Sequence, residues 1–179
     1  LEVLSEARDN ASFASPDEFS GLAEPDGVES VSLDVYSDGV DSLATSEKID
    51  YALELEKLTL ATDKRISGIE SSEYTDVVSE SAIATSTGIR SSSKESGCCL
   101  MVYALAEEKG ETQTGFGFSI GRNPDELDVV KAASDASDRA TRMLGSTKPK
   151  SERLTVVLDP WVSAQFLQIV GSTLSAEMV

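Results

Sequence analysis

The feature that most restricts the fold of this sequence is a series of strand-like segments between Val77 and Ile120, enclosed by two segments of helical periodicity. The segments are separated only by the turn residues Ser86-Thr87-Gly88 and Lys109-Gly110. Connections this short join antiparallel neighbours, because parallel strands need a long crossover. The series therefore predicts a meander of three antiparallel strands, with members at Val77-Val78 and Ala82–Thr85, at Ile89 to Glu107, and at Thr112 to Ile120.

Two helices are predicted on either side of this meander. From Ser46 to about Asp63, apolar residues such as Ile49, Leu53 and Leu60 recur at helical spacing, and Thr45 or Ser46 supplies the N-cap. The second helix is capped by Asn123, has Pro124 at its first position and stops at Gly145. Its predicted buried stripe comprises Val129, Val130, Ala133, Ala136, Ala140, Met143 and Leu144.

Further helices and strands are predicted before and after the two helices and the meander. Leu1 to about Asp9 resembles the end of a helix, and Val31–Val35 alternates as a short strand does. After a linker at Lys148–Ser151, Leu154–Leu158 is predicted to form a buried strand, and a third helix begins near Trp161. The order of helix, meander, helix, strand and helix predicts the α+β class.

Composition excludes several function classes. The 15 Lys and Arg against 32 Asp and Glu give a net charge of −17, which repels phosphate backbones and anionic lipid headgroups. We therefore expect no direct binding of nucleic acid; the acidity indicates either a soluble cytoplasmic protein or attraction of a cationic partner. No apolar run approaches the roughly 20 residues of a membrane span, and no signal peptide is recognisable.

The 179 residues contain no histidine, which excludes a histidine-ligated zinc centre and a histidine-based catalytic triad within them. Cys98 and Cys99 are adjacent, so their side chains should point to opposite faces of a strand and a disulfide between them would be strained. The pair is interpreted as two thiols in a reducing compartment, with a vicinal redox pair as the alternative.

Other candidate motifs have simpler structural explanations. The segment Gly115–Gly121 has Ile120 where the dinucleotide fingerprint needs its third glycine. It is interpreted as a strand with Phe116 and Phe118 on one face and an edge open to an extended peptide. Lys94 beside Ser91–Ser93 could serve a serine nucleophile, but a polar strand is favoured. The acidic residues at 125–128 fit a helix start better than a calcium loop.

The order of motifs along the chain carries a family resemblance. From the N-terminal to the C-terminal end, the motifs are Ser15–Leu22, Leu33–Tyr36, Ala61–Ile66, Ser86–Gly88, Gly115-Phe116 with Arg122, Leu144-Gly145 and Val156–Pro160. Together they resemble the TldD/PmbA (TldE) family, whose members are also labelled modulators of DNA gyrase and classed as zinc metallopeptidases.

The resemblance implies three parts and one missing motif. Residues 1–45 would end an N-terminal domain, 46–150 would form a central α+β domain, and 151–179 would begin a truncated C-terminal domain. The chain begins at Leu1 rather than Met, as a piece of a longer protein would. TldD-type members carry a zinc-binding H-E-x-x-x-H helix, and the comparable stretch here, Leu167–Ser172, has no histidine in any register.

The chain is accordingly similar to the PmbA/TldE type, so no catalytic, cofactor-binding or metal residue is carried over. The resemblance implies a subunit that is not catalytic alone and pairs with a TldD-type subunit, the only expected holder of zinc, to act on unfolded peptides. Self-association is the alternative to that pairing. A non-catalytic peptide- or protein-binding module, or a modulator of gyrase, are the alternative functions.

Overall fold

The computed structural model of this chain describes residues 2–17, 19–29 and 31–175. The chain divides into two compact units, Leu1–Ser146 and Thr147–Val179. The predicted boundaries at 45/46 and 150/151 remain predictions.

Unit 1 contains the predicted antiparallel meander, which confirms the α+β class. Its strands are β1 (Ile66–Ala84), β2 (Arg90–Glu108) and β3 (Glu111–Gly121), in the spatial order β1-β2-β3. The two turns rest on residues with positive φ, at Gly88 (103°) and at Lys109 and Gly110 (54° and 80°). Glycine adopts this region without the steric cost of a Cβ.

The strands differ in length, and this creates a two-stranded extension. The register of β1 on β2 is continuous from Ser71↔Tyr103 to Ala84↔Arg90, whereas β3 pairs with β2 only from Cys98 onward. We call residues 78–84 and 90–96 the hairpin arm. The predicted strand Val31–Val35 is wrong: no strand forms there, although Ser96 N–H donates to the Val35 carbonyl at 3.0 Å.

Unit 1 contains four described helices, and two of them cover the sheet. The helices are α1 (Glu2–Ala11), α2 (Gly39–Ser42), α3 (Thr45–Thr62) and α4 (Val129–Met143). The first of these agrees with the predicted helix end, apart from Leu1, which lies outside the described residues. Helix α3 packs on β1, and α4 packs on β3 and β2.

Both predicted N-caps need correction. Thr45 is already helical; instead the Glu47 carboxylate accepts a hydrogen bond from Ala44 N–H at 2.9 Å. Asn123 caps a separate 3₁₀ turn, Pro124–Glu126, because Leu127 is extended and interrupts the helix. Asp128 then caps α4 by accepting from Lys131 N–H at 2.8 Å. Gly145 has φ 73° and ends the helix as predicted.

The core lies on one face of the sheet and is built from small side chains. Alternate residues of β2 are buried against the alanines of α4, with Leu55 from α3 and Ile66 from β1 completing the cluster. Gly115 and Gly117 face α4 so closely that a Cβ on Gly117 would lie 1.9 Å from the Ala132 carbonyl oxygen. The buried members of β2 and α4 are Leu100, Val102, Ala104, Ala106, Ala132, Ala133, Ala136 and Ala140.

The described part of unit 2 is an extended segment followed by α5 (Pro160–Ser172). This helix was predicted, and Asp159 caps it by accepting from Trp161 N–H at 2.9 Å. The predicted buried strand at Leu154–Leu158 is wrong: those residues form no strand, and Val157 is 92% exposed. An isolated apolar segment needs a neighbouring strand before it can pair or be buried. None of the described helices is long and apolar enough to cross a bilayer.

Candidate interaction surfaces

A cluster of ionisable side chains joins the first turns of α3 to β1. Lys48 forms an ion pair with Asp76, and its ammonium lies 6.0 Å from the centre of the Tyr74 ring. The rings of Tyr51 and Tyr74 stack with centroids 5.8 Å apart. Tyr51 also donates a hydrogen bond to the Pro124 carbonyl at 3.5 Å, so the cluster contacts the 3₁₀ turn as well.

The electrostatics of this cluster favour neutral phenols. Burial, helped by the nearby Asp76 carboxylate, raises the pKa of Tyr74 well above its usual range. Burial, followed by the negative charge of Asp125, raises the pKa of Tyr51 in the same direction. The buried Tyr74 hydroxyl has no hydrogen-bond partner within the described residues. The phenols of Tyr51 and Tyr74 are neutral near pH 7, and Lys48 and Asp76 are paired with each other. The cluster therefore supplies no general base, and we interpret it as a structural link between α3 and β1.

The two cysteines lie on opposite faces of β2, as their adjacency predicts. Cys98 is buried on the helix side, where its thiol donates to the Gly121 carbonyl at 3.5 Å, and Cys99 is partly exposed; both are free thiols. Burial raises the pKa of each, and Glu126 adds to the effect at Cys98. Both therefore remain protonated at neutral pH, which makes them poor nucleophiles and metal ligands.

Lys94 does not form a pair with a serine nucleophile. Its ammonium lies 3.9 Å from the centre of the Tyr36 ring, and the Tyr36 hydroxyl donates to Asp41 at 3.2 Å. A hydrogen bond with Tyr36 raises the pKa of Lys94, so the amine stays charged and cannot accept a proton. The contact instead attaches the segment around Tyr36 to the hairpin arm.

The glycine-containing segment is occupied by the protein's own groups. Gly115 and Gly117 are in contact with α4, and Arg122 N–H donates to the Glu126 carboxylate at 2.8 Å. No space remains there for a phosphate. The acidic residues 125–128 are used in the same way, in the 3₁₀ turn and as the cap of α4.

The opposite face of the sheet carries an aromatic group. The rings of Phe116 and Phe118 are stacked 6.3 Å apart, as predicted for one face of the strand, and Tyr103 lies 6.1 Å from Phe116. The Arg139 guanidinium lies 4.6 Å from the Phe116 ring and donates to the Phe116 carbonyl at 2.7 Å. Arginine over an aromatic face is a favourable cation–π arrangement.

Helix α3 carries a second apolar surface that the core does not use. The side of α3 that faces the core contains the buried residues Leu55 and Thr59. On the other side, Ile49, Leu53 and Leu60 are 54%, 57% and 41% exposed. We call these three residues the outer stripe of α3. A cavity of about 460 Å³ is lined by Leu53, Glu56, Lys57, Leu60 and Ala61. Contiguous exposed apolar side chains of this kind mark contact surfaces more often than catalytic sites.

Within the described ranges, no three His, Cys, Asp or Glu side chains come together in an arrangement that would hold a metal. Leu167–Ser172, the stretch compared with a zinc-binding helix, lies in α5 and offers no metal ligand. The Lys48–Asp76 cluster was not predicted from the sequence. Its members are distant in sequence and belong to no motif, so only the packing of α3 on β1 reveals it.

The comparisons with known proteins agree with this architecture. Residues 38–144 match the family model described as the PmbA/TldA metallopeptidase central domain. The chain is 25% identical over 146 residues to metalloprotease PmbA of Escherichia coli O157:H7, covering 80% of this chain and 32% of that protein. It is 28% identical over 123 residues to metalloprotease MJ0996 of Methanocaldococcus jannaschii, covering 66% of this chain and 27% of that protein.

Solved structures share the fold. A protein from Bacteroides thetaiotaomicron (BT3649), named as a modulator of DNA gyrase, superposes with a TM-score of 0.83 over 97% of this chain and 40% of its own, at 23% identity. TldE from Thermococcus kodakarensis gives a TM-score of 0.64 over 78% of this chain and 31% of its own, at 17% identity. These identities support the fold alone.

The chain spans about a third or less of the length of the curated relatives it matches. The family model, however, covers more than half of this chain and includes α3, the whole meander and α4. The chain therefore belongs to the TldD/PmbA metallopeptidase family and contains that family's central domain.

Proposed function

We propose that this chain is part of the non-zinc, PmbA/TldE-like subunit of a TldD/TldE-like metallopeptidase that acts on unfolded peptides. The observation that carries the proposal is the lack of any histidine in a chain of this family, including the stretch Leu167–Ser172 of α5. Zinc in hydrolases is held by histidine together with carboxylate or cysteine, so this chain does not fit the metal.

The proposed role of this chain is to bind the partner and not to cleave the peptide bond. Zinc in the TldD-type partner would supply the activated water that attacks a peptide carbonyl. The residues of this chain would contribute contact surface, and the outer stripe of α3 is an exposed apolar surface that could serve for it. The negative charge of −17 would attract cationic segments of a peptide over long range.

Co-expression with a TldD-type protein tests the proposal. A tagged copy of this chain should co-purify the partner, and zinc-dependent cleavage of an unfolded protein should require the partner's zinc-binding helix. Replacing the partner's metal-binding histidines should abolish cleavage without preventing co-purification. The pairing proposal fails if the two chains migrate separately and added zinc produces no peptidase activity in the mixture.

A non-catalytic binding module is the second candidate, and the exposed outer stripe of α3 favours it. In that case an unfolded peptide would bind this chain alone and remain intact. Fluorescence anisotropy with a labelled peptide, measured with and without the TldD-type partner, distinguishes the two functions. Modulation of gyrase by direct DNA contact is disfavoured by the charge.

A further inference from the structure

The hairpin arm has a strand edge on β1 that the described part of the chain leaves uncovered. Ser96 N–H points away from β1, since it donates to the Val35 carbonyl on the other side of β2. Val78 lies opposite Ser96 in the ladder, and opposed antiparallel residues either face each other or both face away. The backbone groups of Val78, Glu80, Ala82 and Ala84 therefore point outward from β1.

These outward groups have no hydrogen-bond partner among the residues that the structure describes, because β1 pairs only with β2. Nor does the arm show the usual features that protect an edge. The register of Ser71–Ala84 is free of bulges, it contains no proline, and Glu80 is the only charged side chain from Val78 to Ala84. Long, regular and weakly charged edges are templates for pairing with another strand.

Most side chains of the arm are also exposed to solvent. Residues 80–84 and 90–95 are all exposed, and the exposed fractions of Val77 and Ile83 are 59% and 61%. A two-stranded ribbon of this kind has little stability of its own in water. A further strand along β1 would satisfy the outward groups and cover part of this surface.

We propose that the outer edge of β1 pairs antiparallel with the same edge of a second copy of this chain, with Ser81 on the two-fold axis. In this register Val78 lies opposite Ala84 of the second copy, and Glu80 lies opposite Ala82 of the second copy. The two pairs, repeated by the symmetry, consist of residues whose backbone groups point outward, so they can exchange hydrogen bonds.

Side-chain chemistry selects this register. A shift that placed Glu80 on the axis would bring two like charges together, which destabilises a cross-strand pair. With Ser81 on the axis, the two Glu80 side chains lie diagonal to each other and not directly opposite, and each keeps Lys94 across its own hairpin. Ile83 then lies diagonal to Val77 of the second copy, so these two exposed apolar side chains cover each other. A second copy of this chain is thus complementary to the edge in hydrogen bonding and in apolar contact.

Disulfide trapping of the full 179-residue chain tests the register. Ser81 and its symmetry mate would form a non-hydrogen-bonded pair with Cα atoms about 4.5 Å apart, within the range of a disulfide. Ser81→Cys should therefore cross-link under mild oxidation about tenfold faster than Ser79→Cys, whose two copies would lie roughly 13 Å apart. The wild-type chain, which retains Cys98 and Cys99, serves as the blank.

Light scattering coupled to size exclusion tests the edge itself. The wild-type chain should have twice the mass of one chain, and Ala82→Pro should convert it to a monomer because proline removes one outward N–H. Ser92→Pro is the matched control: Ser92 lies opposite Ala82 in the hairpin, and its N–H points to the other edge. That variant should remain dimeric.

Far-UV circular dichroism checks that both proline variants fold. If Ala82→Pro does not fold, the comparison of Ser81→Cys with Ser79→Cys decides the proposal. No partner protein is present, so the result is independent of the proposed pairing with a TldD-type subunit. A wild-type monomer, a dimer that survives Ala82→Pro, or equal cross-linking at positions 79 and 81 each overturns the proposal.

Discussion

Gly117 determines how closely α4 approaches the sheet. A Cβ at this position would lie 1.9 Å from the Ala132 carbonyl oxygen and 2.8 Å from the Ala136 nitrogen, which are backbone atoms and cannot rotate away. We expect Gly117→Ala to lower the free energy of unfolding by about 3 kcal/mol, at the upper end of overpacking effects. Urea denaturation measures the change.

Gly97→Ala is the control for that substitution. It lies in the neighbouring strand, and its added Cβ would meet only the Val77 side chain at 3.8 Å. The control should leave the urea midpoint within error. Equal loss of stability in both variants would show that strand propensity, and not the contact with α4, explains the effect at Gly117.

The hydrogen bonds of Asp63 predict that the protein loses stability in acid. Its carboxylate accepts hydrogen bonds from the Arg65 backbone at 2.9 Å and from the guanidinium at 3.0 and 2.7 Å. These bonds lower the pKa of Asp63 from 3.8 to about 2. A folded pKa below the unfolded one means that the stabilisation is complete above pH 3.8 and is lost as the pH falls through about 2.

The measurement for Asp63 compares wild type and Asp63→Asn by urea denaturation across the acid range. The difference in unfolding free energy should be constant near neutral pH and should shrink between about pH 4 and 2, because only the wild type loses a charged acceptor there. A difference that does not change with pH would show that the carboxylate charge makes no net contribution.

At the scale of elements, α3 has two apolar sides of which only one is in the core. Leu55 is fully buried, whereas Leu53, two residues earlier, is 57% exposed. We expect Leu55→Ala to cost about 2–5 kcal/mol by leaving a cavity, and Leu53→Ala to cost far less. Thermal denaturation of both variants checks this, and similar losses would mean that the outer stripe is also buried in solution.

This helix also shows what the sequence could and could not predict. Ile49, Leu53 and Leu60 are spaced correctly for a helix, and the helix exists, but periodicity cannot tell which of two apolar sides meets the sheet. The meander was predictable because Gly88 and Lys109-Gly110 separate its strands. The closeness of α4 to β3 was not, since Gly115 and Gly117 reveal their role only once the alanines of α4 lie over them.

A similar limit applies to Leu154–Leu158. Its composition is that of a buried strand, yet strand formation requires a neighbour, and the described part of unit 2 provides only α5. The candidate surfaces also depend on which elements become neighbours. The lack of histidine could be predicted from composition alone. The Lys48–Asp76 cluster and the uncovered edge of β1 could not, because they depend on which helices and strands pack together.

At the scale of the whole molecule, the buried core belongs to unit 1. Every described residue that is buried lies between Val40 and Thr141, and α5 contains none. We therefore expect a chain that ends at Ser146 to unfold at the same urea midpoint as the full chain. A chain that ends at Ala133 is the control: it loses Ala136 and Ala140 from the core and should not fold cooperatively. A lower midpoint for the chain ending at Ser146 would show that residues 147–179 stabilise unit 1, whereas an equal one would place the limit of the independently folding central domain before the predicted boundary at 150/151.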